Sequence, residues 1–183
     1  MSMRMRALPD RIPDPVRRWA LRALFQATAD AFGAPMPDLR GRSADAILTT
    51  YSAYTDEHAR GVFHDPARRA LVERRLCENT ERIGHHLRLG LGIRTTTDAL
   101  EIAHRLYRLI GIELTGNERG RVVVTRCVFA ASYSPDVCRV MSASDAGLMA
   151  GLTGGARLRF TERITSGSPA CRATLTVDGS ERR

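Results

Sequence analysis

An α+β fold is the class this sequence predicts, with N-terminal helices followed by a β-β-α-β-β antiparallel sheet unit. Three observations predict it. Apolar residues recur at helical spacing from Asp14 to about Gly111. The period then changes from 3.6 to 2. One helix signal, opened by Ser134-Pro135, interrupts the strand run that follows. Helices laid on an antiparallel sheet are how such a pattern buries both sets of apolar faces.

The first helix opens at Asp14-Pro15, because proline suits the first helical turn. Val16, Trp19, Ala20, Ala23, Leu24 and Ala27 give it an apolar side as far as Gly33. Gly33–Arg42 holds two prolines and two glycines and reads as a loop. Ser43 caps the second helix, in which Ile47, Tyr51, Tyr54 and His58 form one stripe. Asp65-Pro66 starts the third, which runs towards Leu91 with Leu76, Ile83 and Leu87 inward. Thr97 or Asp98 starts the fourth, with Leu100, Ala103, Tyr107 and Ile110 facing in and Gly111 as its stop.

Ile112–Thr115 and Arg121–Phe129 then form a hairpin around Asn117-Glu118-Arg119-Gly120. The fifth helix runs from Ser134-Pro135 to about Leu152 and ends at Gly154-Gly155. Arg157–Ile164 alternates, with Leu158, Phe160 and Ile164 on one face and Arg159, Thr161 and Arg163 on the other. The turn Ser166–Pro169 leads into Cys171–Val177, where Cys171, Ala173, Leu175 and Val177 share an apolar face. The expected organisation is one domain over 1–178, helical over 14–111 and sheet-forming over 112–178, with a loose tail at 179–183.

Composition narrows the function classes. An apolar fraction of 43% and a charged fraction of 26% are ordinary for a globular chain. No apolar run approaches the ~20 residues that span a bilayer, so no membrane partner is expected. Met1–Arg11 is basic but lacks an uncharged stretch after it, so it does not read as a signal peptide. A cytoplasmic location is therefore expected, with Cys77, Cys127, Cys138 and Cys171 as thiols. All 28 basic residues are arginine. They are spread along helices, and aromatics make up only 5% of the chain, so no nucleic-acid partner is expected. The absence of lysine excludes a lysine Schiff base and a lysine-dependent phosphate loop. GxSxG, Walker A and a strand-to-helix GxGxxG are also missing, and no cofactor is expected.

The fifth helix carries the clearest chemical signal. Cys138, Ser142, Asp145 and Met149 stand at i, i+4, i+7 and i+11 and so form one line, bordering the apolar line Val137, Met141, Leu148 and Leu152. A thiol, a hydroxyl and a carboxylate at the edge of a core can line a small pocket; the alternative is a partly exposed flank with a satisfied aspartate. Alternation puts Glu162 on the core side of its strand, where a carboxylate needs a partner or a task, unless a bulge swings it outward. Cys171 is read first as a small core residue, and Cys127 can face either way. No CxxC or HExxH is present, and the adjacent His85 and His86 splay about 100° apart on a helix. No metal site is expected from these spacings.

The stretch Val124 to Val177 resembles the C-terminal half of the L-2-amino-thiazoline-4-carboxylate hydrolase family. Cys127-Val128-Phe129 stands where the family has a Cys-Pro-Phe-like element, with valine for proline. Cys138 and Asp145 match the helix pattern of Cys, three residues, Cys, two residues, Asp, with Ser142 in place of the second cysteine. Arg159-Phe160-Thr161-Glu162-Arg163 matches the strand, and Gly167 with Cys171 matches the Gly-x-x-x-Cys ending. The architecture is also similar to V4R ligand-sensing domains. The resemblance implies hydrolysis of a cyclic amidine or thiazoline, in which a thiolate attacks the amidine carbon and a carboxylic acid protonates the ring. It makes Cys127 or Cys138 the nucleophile, with Asp145 and Glu162 as acid, base or orienting groups. Cys171 is the remaining member of the cysteine-centred site. The expected partner is a small-molecule substrate, for which the resemblance implies a place in a biosynthetic pathway, and the N-terminal helices are left open as a lid, a homodimer interface or both. The reading from another class is a non-catalytic ligand-binding or sensor module of the V4R kind.

Overall fold

The protein is described here over residues 13–176 of a computed structural model. The leader reading of Met1–Arg11, the placement of Val177 and the tail at 179–183 lie outside the described residues. Four helices come first: α1 (Asp14–Phe32), α2 (Ala44–Phe63), α3 (Pro66–Leu91) and α4 (Thr96–Leu109). The strands β1 (Ile112–Gly116) and β2 (Arg121–Cys127) follow, then α5 (Pro135–Thr153), β3 (Arg157–Glu162) and β4 (Cys171–Thr176). The class is α+β, with an antiparallel sheet in the order β1-β2-β4-β3.

Side-chain caps set the helix starts. Ser43, Asp65 and Ser134 accept hydrogen bonds from the backbone N–H groups of Ala46, Arg68 and Val137, satisfying donors that a first turn leaves unpaired. On α4 the cap is Thr95, which exchanges bonds with Asp98 in a capping box, so the helix begins at Thr96 and not at Thr97 or Asp98. Gly33, Gly92 and Gly154 end α1, α3 and α5 in the left-handed conformation.

The strands depart from the expected pattern at two ends. β2 stops at Cys127 and turns into a short 3-10 segment, Val128–Ala131. β3 stops at Glu162, and Ile164 belongs to a second 3-10 turn, Ile164–Ser166. The register of β3 against β4 shifts between Phe160 and Glu162, a bulge that breaks the alternation just where the carboxylate was expected to point inward. On β4 the alternation holds, with Cys171, Ala173 and Leu175 buried. One expectation for α1 fails: Trp19 is 71% and Val16 48% exposed, so the buried stripe is carried by Leu21, Phe25, Ala29 and Phe32.

One continuous buried cluster runs from Leu21 in α1 to Leu175 in β4. At its centre α3 and α5 lie against each other with their backbones nearly touching. A Cβ on Gly84 of α3 would stand 2.5 Å from the Leu148 carbonyl oxygen of α5, and Gly147 and Gly151 meet the α3 backbone in the same way. Glycine is what permits this approach. Thr80 Oγ1 ties the two helices by donating to the Ser144 carbonyl at 2.8 Å. The close pairing turns the flank of α5 that carries Cys138, Met141, Asp145 and Leu148 towards the space beside α1 and α4.

Candidate functional site

That space is a cavity of about 510 Å³. Its wall is mostly apolar, drawn from all five helices, β1, the end of β2 and the 3-10 segment after it. Leu24 of α1, Ile83 and Leu87 of α3, Leu106 and Ile110 around α4, and Met141 and Leu148 of α5 supply much of it. Its polar lining includes Asp145, Cys138 and Ser142 of α5, Cys127 at the end of β2, Tyr107 of α4 and Tyr133. Exposed Trp19 and His86 also line the cavity, so its mouth lies between α1 and α3.

Among the described residues, Asp145 is the one carboxylate on this wall. It sits deep in the fold yet keeps accessible surface, because that surface faces the cavity and not the outside of the molecule. Tyr107 Oη donates to its Oδ1 at 2.7 Å. Burial pushes the Asp145 carboxyl up to about 6, against the Tyr107 hydrogen bond and the Arg163 charge, which pull it down. Near neutral pH it therefore holds or releases a proton over a range useful for acid–base work. Burial raises the Tyr107 hydroxyl well above its ordinary range, and the neighbouring Asp145 charge adds to this, so Tyr107 is a donor.

An aromatic wall supports this lining. Tyr133 stacks on Phe129 with ring centres 5.2 Å apart, and Phe129 meets Tyr51 at 5.9 Å. The Tyr133 and Tyr51 hydroxyls are satisfied by Thr55 and Thr28, two buried threonines of α2 and α1. These bonds fix the rings without drawing on the cavity's own polar groups.

The thiols fall into different environments. Cys127 lines the cavity, and burial pushes its thiol up to about 12, so it rests protonated. Cys138 also lines the cavity; Arg163 Nη1 lies 3.8 Å from its sulfur and donates to Ser142 Oγ at 2.5 Å. Cys171 lies off the cavity wall, buried in β4, where its sulfur accepts the Ile164 N–H at 3.3 Å. Burial, its largest influence, raises that thiol. Its role here is to seat the turn after β3, a packing and hydrogen-bonding task.

The structure thus brings Cys127, Cys138 and Asp145 to one wall and leaves Cys171 and Glu162 elsewhere. The core-facing placement of Glu162 is corrected by the bulge: its side chain is exposed and lies 3.3 Å from Arg172 Nε on the neighbouring strand. Arg163 joins the site although alternation had put it on the outer face, because β3 has ended before it. Tyr133 had no periodic signal, since it lies in the loop before α5. Among the described residues, no group of three or more histidine, cysteine, aspartate or glutamate side chains is placed to hold a metal ion. Among them, too, no helix is long and apolar enough to cross a membrane. No family model matches the chain, and the search of curated proteins finds no relative.

Proposed function

We propose that this protein binds a small, largely apolar molecule in the 510 Å³ cavity and fixes its polar end at Asp145 and Tyr107. The volume falls in the range of ordinary ligand sites, which run from ~300 to ~1,000 Å³. The observation that carries the reading is a single carboxylate at the inner side of an apolar chamber. A carboxylate is costly to keep in such a place, and a ligand with a hydrogen-bonding or cationic end offsets that cost. The fit is to a ligand-binding domain of the kind the V4R resemblance implies.

The test uses the protein's one tryptophan, Trp19, which stands at the cavity mouth. A neutral, solvent-sensitive dye such as Nile red should bind at one site per chain and quench Trp19 by energy transfer. Replacing Leu148 by Trp narrows the chamber and should weaken the enhanced dye emission while leaving the helical circular dichroism intact. Dye binding that is absent, or unaltered in Leu148→Trp, would refute the proposal.

A second reading rests on Cys138. It is the cavity thiol with a cation beside its sulfur, and it shares the wall with a carboxyl that titrates near 6. That arrangement suits hydrolysis of a cyclic amidine such as a thiazoline. Cys138 attacks the amidine carbon, Asp145 protonates the departing nitrogen or sulfur, and water then releases the thiol. Steady turnover of a 2-aminothiazoline, lost in Cys138→Ser and kept in Cys171→Ser, is the result expected of the enzyme; no turnover in the intact protein removes this reading.

A further inference from the structure

On the other flank of α5 lies a second depression, open to solvent and about 450 Å³ in volume. Four arginines line it: Arg69 of α3, Arg139 of α5, Arg159 of β3 and Arg163 just beyond β3. Among the described residues that line it, Glu73 is the one carboxylate. We propose that this depression binds the phosphate groups of a small phosphorylated molecule, as a site separate from the apolar cavity.

The charge balance supports an anion. Glu73 lies 3.8 Å from Arg69 Nε, and Asp136 lies 3.5 Å from Arg139 Nη1, so those two cations are partly compensated. The Arg159 side chain has no hydrogen-bond or ion-pair partner among the described residues, and Arg163 has no carboxylate within ion-pair distance among them. Arg163 is also held in place before any ligand arrives. Its guanidinium lies 4.5 Å over the Phe160 ring, and its Nη1 donates to Ser142 Oγ at 2.5 Å. A planar guanidinium already fixed in orientation loses little freedom on binding, and its fork of N–H donors matches phosphate oxygens.

The shape favours a small molecule over a polynucleotide. The four arginines line one concavity from α3, from α5 and from β3 with the residue just beyond it, so that Arg69 is brought to the other three by packing. A backbone-tracking surface would instead show a stripe of cations interleaved with stacking aromatics. Phe160 offers no such platform, since Arg163 covers its face. Ser142 borders both depressions, so Arg163 forms part of the wall between them. The two sites still depend on different groups: a neutral apolar dye has no use for Arg159, and phosphate has none for Leu148.

Calorimetric titration of the full chain with pyrophosphate at constant ionic strength tests this. Binding at one site per chain is expected, weakened by ~10-fold in Arg159→Gln, the loss of one charge-assisted contact. Arg139→Gln should weaken it in the same direction. Arg119→Gln, at the exposed hairpin turn away from the depression, should bind as the parent does. Equal weakening in Arg159→Gln and Arg119→Gln would mean diffuse attraction by a basic protein and would overturn the site. So would an absence of binding at millimolar pyrophosphate. A single-stranded oligonucleotide bound more tightly than pyrophosphate, and weakened by Arg119→Gln, would replace the site with an extended nucleic-acid surface. The Nile red titration, repeated in Arg159→Gln, keeps failure here distinct from failure of the cavity.

Discussion

Tyr107 Oη donates to Asp145 Oδ1 at 2.7 Å, and this bond joins the C-terminal part of α4 to the middle of α5 at the wall of the cavity. It is a bond between a phenol that burial keeps protonated and a carboxyl that burial pushes up to about 6. The pair therefore has two states near neutral pH. With Asp145 ionised, Tyr107 supports the charge; with Asp145 protonated, the carboxyl itself has a proton to give to a ligand or a substrate.

The raised carboxyl has a measurable consequence for stability. Its folded value of about 6 lies above the ordinary 3.8, so the folded state holds this proton more tightly than the unfolded chain does. Stability from this group is complete below about pH 4 and is lost as pH rises through 6. The loss is up to about 3 kcal/mol, from the size of the shift. Urea unfolding at pH 4.5 and 7 should show the parent falling relative to Asp145→Asn as pH rises. A difference between the two proteins that is flat over this range would rule out the raised carboxyl.

The close pairing of α3 and α5 makes a second prediction. Gly84→Ala puts a methyl group 2.5 Å from a backbone oxygen, where no side chain can swing away. Overpacking of this kind costs about 1–3 kcal/mol, which for a chain of this size lowers Tm by roughly 2–12 °C. Gly61→Ala in α2 meets nothing within 4 Å and removes a helix-weakening glycine, so it should hold or raise Tm. Thermal melts followed by circular dichroism separate the two. If both variants melt alike, the close approach of the helices is wrong.

These helices were readable from sequence to within a residue or two, because caps and period-3.6 stripes are local signals. Ser43, Asp65 and Ser134 each stand directly before their helix, and the line Cys138, Ser142, Asp145 was visible on one side of α5. Glu162 was not readable in the same way. A bulge depends on how β3 registers against β4, and that pairing lies outside any window along the chain. The arginine depression was hidden for a similar reason. Arg69, Arg139 and Arg159 look scattered in sequence and meet only once α3, α5 and β3 are packed. Trp19 fits a helical stripe but sits one step round from the buried one, which a spacing rule cannot distinguish on a helix with many alanines.

Because the bulge sends Glu162 outward, its carboxylate should matter little. It faces Arg172 as an exposed pair, and such pairs contribute about 0–1 kcal/mol. Glu162→Gln should change the urea midpoint by less than ~0.5 kcal/mol equivalent and leave dye binding as it is. A large loss of binding in this variant would return Glu162 to the site and contradict the register of β3.

The thiols give the last and most discriminating prediction. Thiolate, not thiol, reacts with iodoacetamide, so labelling rates report both the charge state and the access of each sulfur. Cys127 faces the cavity but is held as a thiol by burial, and Cys171 is buried with its sulfur already accepting the Ile164 N–H. Cys138 faces the same cavity with Arg163 Nη1 3.8 Å from its sulfur. With limiting reagent near neutral pH, peptide mass spectrometry should find Cys138 modified before Cys127 and Cys171. Arg163→Gln should slow that reaction by removing the cation 3.8 Å from the Cys138 sulfur. Prior filling of the cavity with the apolar dye should slow Cys138 as well. Reaction at Cys127 ahead of Cys138 would transfer the nucleophile's role in the enzymatic reading to the other thiol. If all three react only after unfolding in urea, the cavity has no reactive thiol, and ligand binding at Asp145 is the function left to the site.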